Sequence, residues 1–160
     1  MQINDDFKHK KQFVVTAIGT DIGKTFVVEK ICEELNQKKE KYSVIKPVIS
    51  GFNPKNPQDS DTGKILQAMN LRVNHENIKN ISPWRFKKPV SPDIAAKLEG
   101  REVEFYDIVT FCQNKSMEAI VENEYLFIEG AGGVMSPICK GRNFLDLMWQ
   151  LHLPVILVVK

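Results

Sequence analysis

Residues 12–16 read QFVVT and residues 17–25 read AIGTDIGKT. The first five form a short, continuous apolar run, the pattern of a strand buried on both faces. The next nine end in Gly23-Lys24-Thr25, after which Val27, Ile31 and Leu35 recur at i, i+4 and i+8 among Lys, Glu and Gln, predicting a helix over 24–39. Strand, glycine-containing turn and helix in this order point backbone N–H groups and the positive end of a helix at one spot, where an anion can bind. There Gly23 permits close approach of the main chain to a phosphate. Lys24 supplies a charge between the β- and γ-phosphates, and Thr25 offers its hydroxyl to Mg²⁺. The strict spacing G-x-x-x-x-G-K-[ST] would place glycine at 18, where this chain has Ile18; the nearest upstream glycine is Gly19.

Three further apolar runs flank this unit: YSVIK at 42–46, YLFIE at 125–129 and PVILVVK at 154–160. All read as strands with both faces covered, and amphipathic stretches lie between them. Strand, turn, helix and the strand at 42–46 make a βαβ unit. A second helix is expected at 91–100, with Ser91 as N-cap, Pro92 at the first helical position, Asp93 in the first turn and Gly100 as the stop. The stretch 104–122 places Phe105, Ile108, Phe111 or Cys112, Met117 and Ile120 near one face, and TGKILQAM at 62–69 is also helical. Between 51 and 60, prolines and asparagines with almost no apolar content predict a mobile surface loop. The alternation of strands and helices specifies an α/β fold: a P-loop NTPase-like, doubly wound, mostly parallel sheet flanked by helices, in one domain over 1–160, with 1–11 flexible. No helix follows the run at 154–160 to cover it, so the C-terminal part of such a fold is expected to be missing.

Bulk properties narrow the function classes. The 160 residues are 42% hydrophobic and 26% charged, suited to one domain with a real core. The net charge of +2 comes from residues spread along the whole chain, which argues against nucleic acid or a membrane surface as partner. The opening MQINDDFKHKKQ lacks the apolar core of a signal peptide, and no run approaches the ~18 apolar residues of a membrane span, so a cytoplasmic protein is expected. Cys32, Cys112 and Cys139 are far apart with no Cys-x-x-Cys pair, as expected of buried or idle thiols in a reducing compartment.

Three more clusters carry chemistry. KPVISG at 46–51 puts Lys46 at the carboxyl edge of a strand, where open α/β sheets build their sites, with Ser50 and Gly51 beside it. DSD at 59–61 leads into a helix, so Asp61 is either a cap or a Mg²⁺ ligand, direct or through water. EGAGG at 129–133 brings Glu129 out at the end of a strand and leaves backbone N–H groups of Gly130, Ala131 and Gly132 available to a ligand. Thr25, Asp61 and Glu129 make a hard-oxygen set suited to Mg²⁺, with Lys24 and Lys46 balancing charge.

In this order and spacing, GTDIGKT, KPVISG, the SD pair, SPDIAAKLEG, EGAGG and LPVILVV resemble the dethiobiotin synthetase family over residues 13–160. The resemblance implies a homodimer with sites at the subunit interface that converts 7,8-diaminononanoate, CO₂ and ATP, with Mg²⁺, to dethiobiotin, ADP and phosphate. It implies that Asp21, Ile22, Gly23, Lys24, Thr25 and Phe26 lie along the triphosphate, and that Asp61, Glu129, Gly130, Ala131 and Gly132 complete the ATP site. Thr25, Asp61 and Glu129 would hold Mg²⁺. Lys46 and Lys24 would be catalytic, and Ser50 would touch the diamine. Ser91 and Pro92 match a helix start near the diamine, although a plain cap explains them equally well. Ala17 stands where most members have glycine, and Ile18 and Gly19 replace a Thr-Asp-like pair. The family continues for about another third of a chain that carries adenine recognition. Two alternatives therefore stand beside the enzyme: an inactive remnant of it, and another P-loop ATPase of the same broad class. Partitioning and nitrogenase-iron-protein relatives in that class usually carry a signature lysine where this chain has Gly19.

Overall fold

The computed structural model describes residues 11–159. In chain order the elements are β1 (Gln12–Ala17), α1 (Lys24–Gln37), β2 (Tyr42–Ile45), β3 (Val48–Ile49), α2 (Asp61–Ala68), α3 (His75–Ile81), β4 (Trp84–Arg85), α4 (Pro92–Leu98), α5 (Phe105–Glu122), β5 (Tyr125–Glu129), β6 (Pro137–Cys139), β7 (Arg142–Asn143), α6 (Phe144–Leu151) and β8 (Val155–Val158). The main sheet runs β2-β5-β1-β8 and every pairing in it is parallel. The register sets Val15 beside Glu129 and Ile45 beside Ile128, so the carboxyl ends of the three strands that carry candidate residues lie side by side. The segment 1–11, expected to be flexible, lies outside the described residues apart from Lys11, whose carbonyl accepts from the Leu126 amide at 2.8 Å.

The apolar runs become strands where expected, but their order differs from a simple βαβ unit. β2 pairs with β5 and not with β1, because β5 occupies the intervening position. Apolar runs of one kind cannot reveal their neighbours; only packing orders them. α1 also turns a different stripe inward. Lys24, Val28 and Cys32 are its buried residues, while Val27, Ile31 and Leu35 are half-buried. Lys24, Val28 and Cys32 are spaced at i, i+4 and i+8, so a helix that aims Lys24 into the strand ends must bury the other two. All three thiols are free and buried; burial pushes Cys32 up to about 11 and raises Cys112 and Cys139 as well.

α5 buries Phe105, Ile108, Val109, Cys112, Ser116 and Ala119, whereas Met117, expected on that face, is exposed. Ser116 belongs inside because it closes a buried pair with Gln12. Its Oγ donates to Gln12 Oε1 at 2.6 Å, and Gln12 Nε2 donates to the Ser116 carbonyl at 3.0 Å. The segment 51–60 is largely exposed, as expected of a surface loop, but it is anchored at several points. Phe52 is buried, Pro57–Asp59 form a 3-10 turn, and a Cβ on Gly63 of α2 would collide with the Pro57 carbonyl oxygen. Ser91 stands at the N-cap of α4 without making a side-chain capping bond; Pro92 occupies the first turn, and Gly100 follows with φ +62. β8 alternates in exposure, with Val155 and Leu157 half exposed, so it is not covered on both faces as its apolar run suggested.

Candidate nucleotide and anion site

The site begins in the turn between β1 and α1. Gly23 is the N-cap of α1 at φ 106, a conformation L-residues rarely adopt, and Asp21 also has positive φ at 56. Lys24 opens the helix almost fully buried, and its Nζ reaches back over its own loop to 3.4 Å from the Gly19 carbonyl. Burial, reinforced by the nearby Lys46 cation, holds the Lys24 pKa below the usual lysine value. Among the described residues no carboxylate is in hydrogen-bonding contact with Lys24 Nζ, an arrangement in which an anion could be received.

Behind it, four side chains from different elements meet. Glu129, the last residue of β5, is 1% exposed. Its Oε1 accepts from Thr25 Oγ1 at 2.7 Å and from Lys46 Nζ at 2.6 Å, while its buried Oε2 has no partner among the described residues. Lys46 follows β2 directly and also pairs with Asp61 Oδ2 at 2.8 Å. Burial alone would lower the Lys46 pKa, but the Glu129 and Asp61 carboxylates outweigh it and hold the ammonium above its usual value. Asp61 lies at the first turn of α2 with 41% of its side chain exposed; burial would raise its pKa, and Lys46 holds it below the ordinary range instead. Its role as cap falls to its neighbour, since Ser60 Oγ accepts from the Gly63 amide at 3.0 Å, leaving the Asp61 carboxylate free for Lys46.

The glycines of residues 129–133 serve the packing of two loops. Gly133 lies against Gly19, where an added Cβ would come within 3.0 Å of the Gly19 Cα, and the Val134 amide donates to the Ala17 carbonyl at 2.9 Å. The close approach calls for glycine at 133; a Cβ on Gly19 itself would meet only Ile22, at 3.7 Å. A Cβ on Gly130 would lie 2.5 Å from the buried Phe144 ring. The Gly130 amide is already donated to the Val15 carbonyl at 3.0 Å, and that of Gly133 to Ser136 Oγ at 2.7 Å. Ser136 is a contact that sequence reasoning missed, since nothing in its neighbourhood distinguishes it from an ordinary loop serine.

The remaining candidates stand around this cluster. Ile22 is half-buried and Asp21 exposed on the loop. Phe26 is 61% exposed on α1, with Lys30 Nζ 5.6 Å above its ring, so it faces outward from the Lys46 network. Ser50 has a buried Oγ without a partner among the described residues. The next amide, of Gly51, donates to the Lys88 carbonyl at 3.1 Å, tying this segment to the chain that leads into Ser91 and Pro92. No hydrogen bond of the Lys46 cluster reaches Ser91 or Pro92 among the described residues. Asp93 Oδ1, one residue further on, is likewise buried and unpartnered. The oxygens of Thr25, Asp61 and Glu129 converge through Lys46 and through each other, and the orphaned Glu129 Oε2 is an acceptor that a cation would satisfy. Among the described residues no three His, Cys, Asp or Glu side chains form a metal-binding group. Two carboxylates and a hydroxyl fit Mg²⁺, which keeps several waters and takes phosphate oxygens as further ligands.

A family model described as an AAA domain matches residues 11–160. The ATP-dependent dethiobiotin synthetase BioD of Acidiphilium cryptum is 38% identical over 147 residues, covering 91% of this chain and 65% of that protein. The protein of the same name from Caulobacter vibrioides is 39% identical over 150 residues, covering 92% and 65%, and that of Legionella pneumophila strain Paris is 34% identical over 149 residues, covering 93% and 66%. The chain thus spans about 65% of the length of the curated relatives it matches.

Proposed function

Because this chain belongs to the AAA-domain family and is a relative of the dethiobiotin synthetases, we propose that it carries the catalytic part of an ATP-dependent ring-closing ligase of biotin biosynthesis. The substrates are 7,8-diaminononanoate, CO₂ and ATP, and the working form is a homodimer with its sites at the subunit interface. The observation that carries the reading is the buried Lys46, bound to Glu129 at 2.6 Å and Asp61 at 2.8 Å directly behind the Gly23-Lys24-Thr25 turn.

One amine of the diamine takes up CO₂ as a carbamate and releases a proton. A carbamate oxygen then displaces ADP from the γ-phosphorus of ATP. The second amine attacks the activated carbonyl, closes the cyclic urea, expels phosphate and gives up a proton to it or to water. Negative charge gathers on oxygen at each step, and no protein nucleophile is required. Lys24 meets the β- and γ-phosphates as their chain lies along residues 21–26. Lys46, held charged by its two carboxylates, moves its field onto the carbamate and the transferring phosphoryl group once substrate competes for it. Mg²⁺ bound by Thr25, Asp61 and Glu129 would supply charge neutralisation at the phosphates. Ser50, with its unpartnered Oγ, offers the diamine a hydrogen bond beside Lys46, and the start of α4 at Ser91 and Pro92 borders the same substrate. Loss of one such cation is expected to cost about 10²-fold or more in rate.

The test is to incubate the purified chain with diaminononanoate, bicarbonate and Mg-ATP and to follow dethiobiotin by mass spectrometry, with Lys46→Ala alongside. Product that depends on Lys46 supports the reading. A folded chain that binds Mg-ATP but forms no product would favour an inactive remnant, or an ATPase of the same class with another substrate.

A further inference from the structure

Next to Asp61 in the chain lies a contact between two hydroxyls that, among the described residues, hydrogen-bond to none of the candidate ligands. Thr62, the next residue of α2, and Ser82, at the end of α3, are both 0% exposed, and their Oγ atoms lie 2.7 Å apart. The residue before Ser82 accepts the main-chain amide of Lys46, with Lys46 N donating to the Ile81 carbonyl at 3.0 Å. The dipeptide Ile81-Ser82 therefore holds the lysine through its backbone and the neighbour of the aspartate through a side chain. It is itself anchored: the Ser82 amide donates to Ile78 at 2.8 Å, and its carbonyl accepts from Arg85. One residue further along, α2 packs at Gly63 against Pro57 and Gln58 with no room for a Cβ. The half-exposed Asp61 carboxylate meets Lys46 at a helix start that carries both of these contacts.

We propose that Thr62 and Ser82 form a positioning pair that fixes Asp61 relative to Lys46, so that the oxygen set of the nucleotide site is held in place by a buried hydroxyl contact outside it. The inference rests on the nucleotide reading above for its consequence, but not for its geometry. Removing both hydroxyls as Thr62→Val with Ser82→Ala leaves no orphaned donor or acceptor and is nearly neutral for stability. A plain core contact would then have no further effect. A positioning pair would still be missed, because losses of partners that orient metal ligands typically weaken metal binding about 10–100-fold.

The experiment is calorimetric titration of ATP, with and without Mg²⁺, into the parent and the double variant, beside thermal unfolding of each. The expected result is an unchanged melting temperature, unchanged Mg-free ATP affinity and a Mg-ATP affinity lowered about tenfold or more. Equal Mg-ATP affinity in the folded double variant overturns the proposal. If the parent itself binds no Mg-ATP, the nucleotide reading fails on its own, and the proposal is decided by a double-mutant cycle in urea. Ser82→Ala and Asp61→Asn, which share no direct contact, must then be non-additive; additive costs overturn it. If the double variant does not fold, the same cycle on the single variants decides.

Discussion

Replacing Lys46 by Met would test the site through its energetics, before any chemistry. Lys46 and Glu129 are 4% and 0% exposed at their side chains, and the 2.6 Å contact between them is the only ion pair Glu129 makes among the described residues. Methionine matches the length of the lysine stem but supplies no charge, so Glu129 stays in the interior with Oε2 unpartnered and Oε1 left to the Thr25 hydroxyl. Removing one partner of a buried pair costs about 3–5 kcal/mol, because the remaining charge has lost its compensation. Asp61 adds little to this figure, since its half-exposed carboxylate turns to water when Lys46 is gone. For a chain of this size the loss corresponds to a fall in Tm of about 6–20 °C, at about 2–4 °C per kcal/mol. Adding Glu129→Leu should restore most of it, since an apolar pair replaces the two charges with similar volume. The assay is urea unfolding at pH 7 of the parent, the two single variants and the double. A Lys46→Met loss below about 1 kcal/mol, the range of exposed pairs, would refute the reasoning, as would strictly additive costs in the double variant.

Two further outcomes follow from the same geometry. Lys24 has its pKa lowered by burial and by Lys46, so the folded state disfavours its charge and gains stability as pH rises through the window between the lowered value and the ordinary 10.5. Nucleotide phosphates would restore the charge, so ATP binding in that window is expected to take up a proton, detected as a dependence of calorimetric heat on buffer ionisation enthalpy; Lys24→Met should abolish it, and proton release would contradict it. Gly130→Ala would drive a Cβ to 2.5 Å from the Phe144 ring, which is 2% exposed and cannot swing aside, and should cost about 1–3 kcal/mol in chemical denaturation. An unchanged stability there would mean that the glycine loop yields more easily than its contacts indicate.

What the sequence by itself determined is the local chemistry and the kind of element that carries it. Short apolar runs mark buried strands, and glycine before Lys24 marks a helix start of the kind that can face an anion. A lysine and a glutamate that each end an apolar run must emerge at one edge of a parallel sheet. These signals are local in the chain, so they survive without knowledge of the fold. The order of the strands, the Lys46 contacts to Glu129 and Asp61, and the stripe of α1 that turns inward belong to the tertiary structure alone. So do the Thr62–Ser82 pair and the packing of Gly133 on Gly19, for these partners are separated by 20 and 114 residues. Serines and threonines in helices and turns have no pattern that announces a distant partner. Only when α2 and α3 pack together are the hydroxyls of Thr62 and Ser82 removed from water and obliged to find one another.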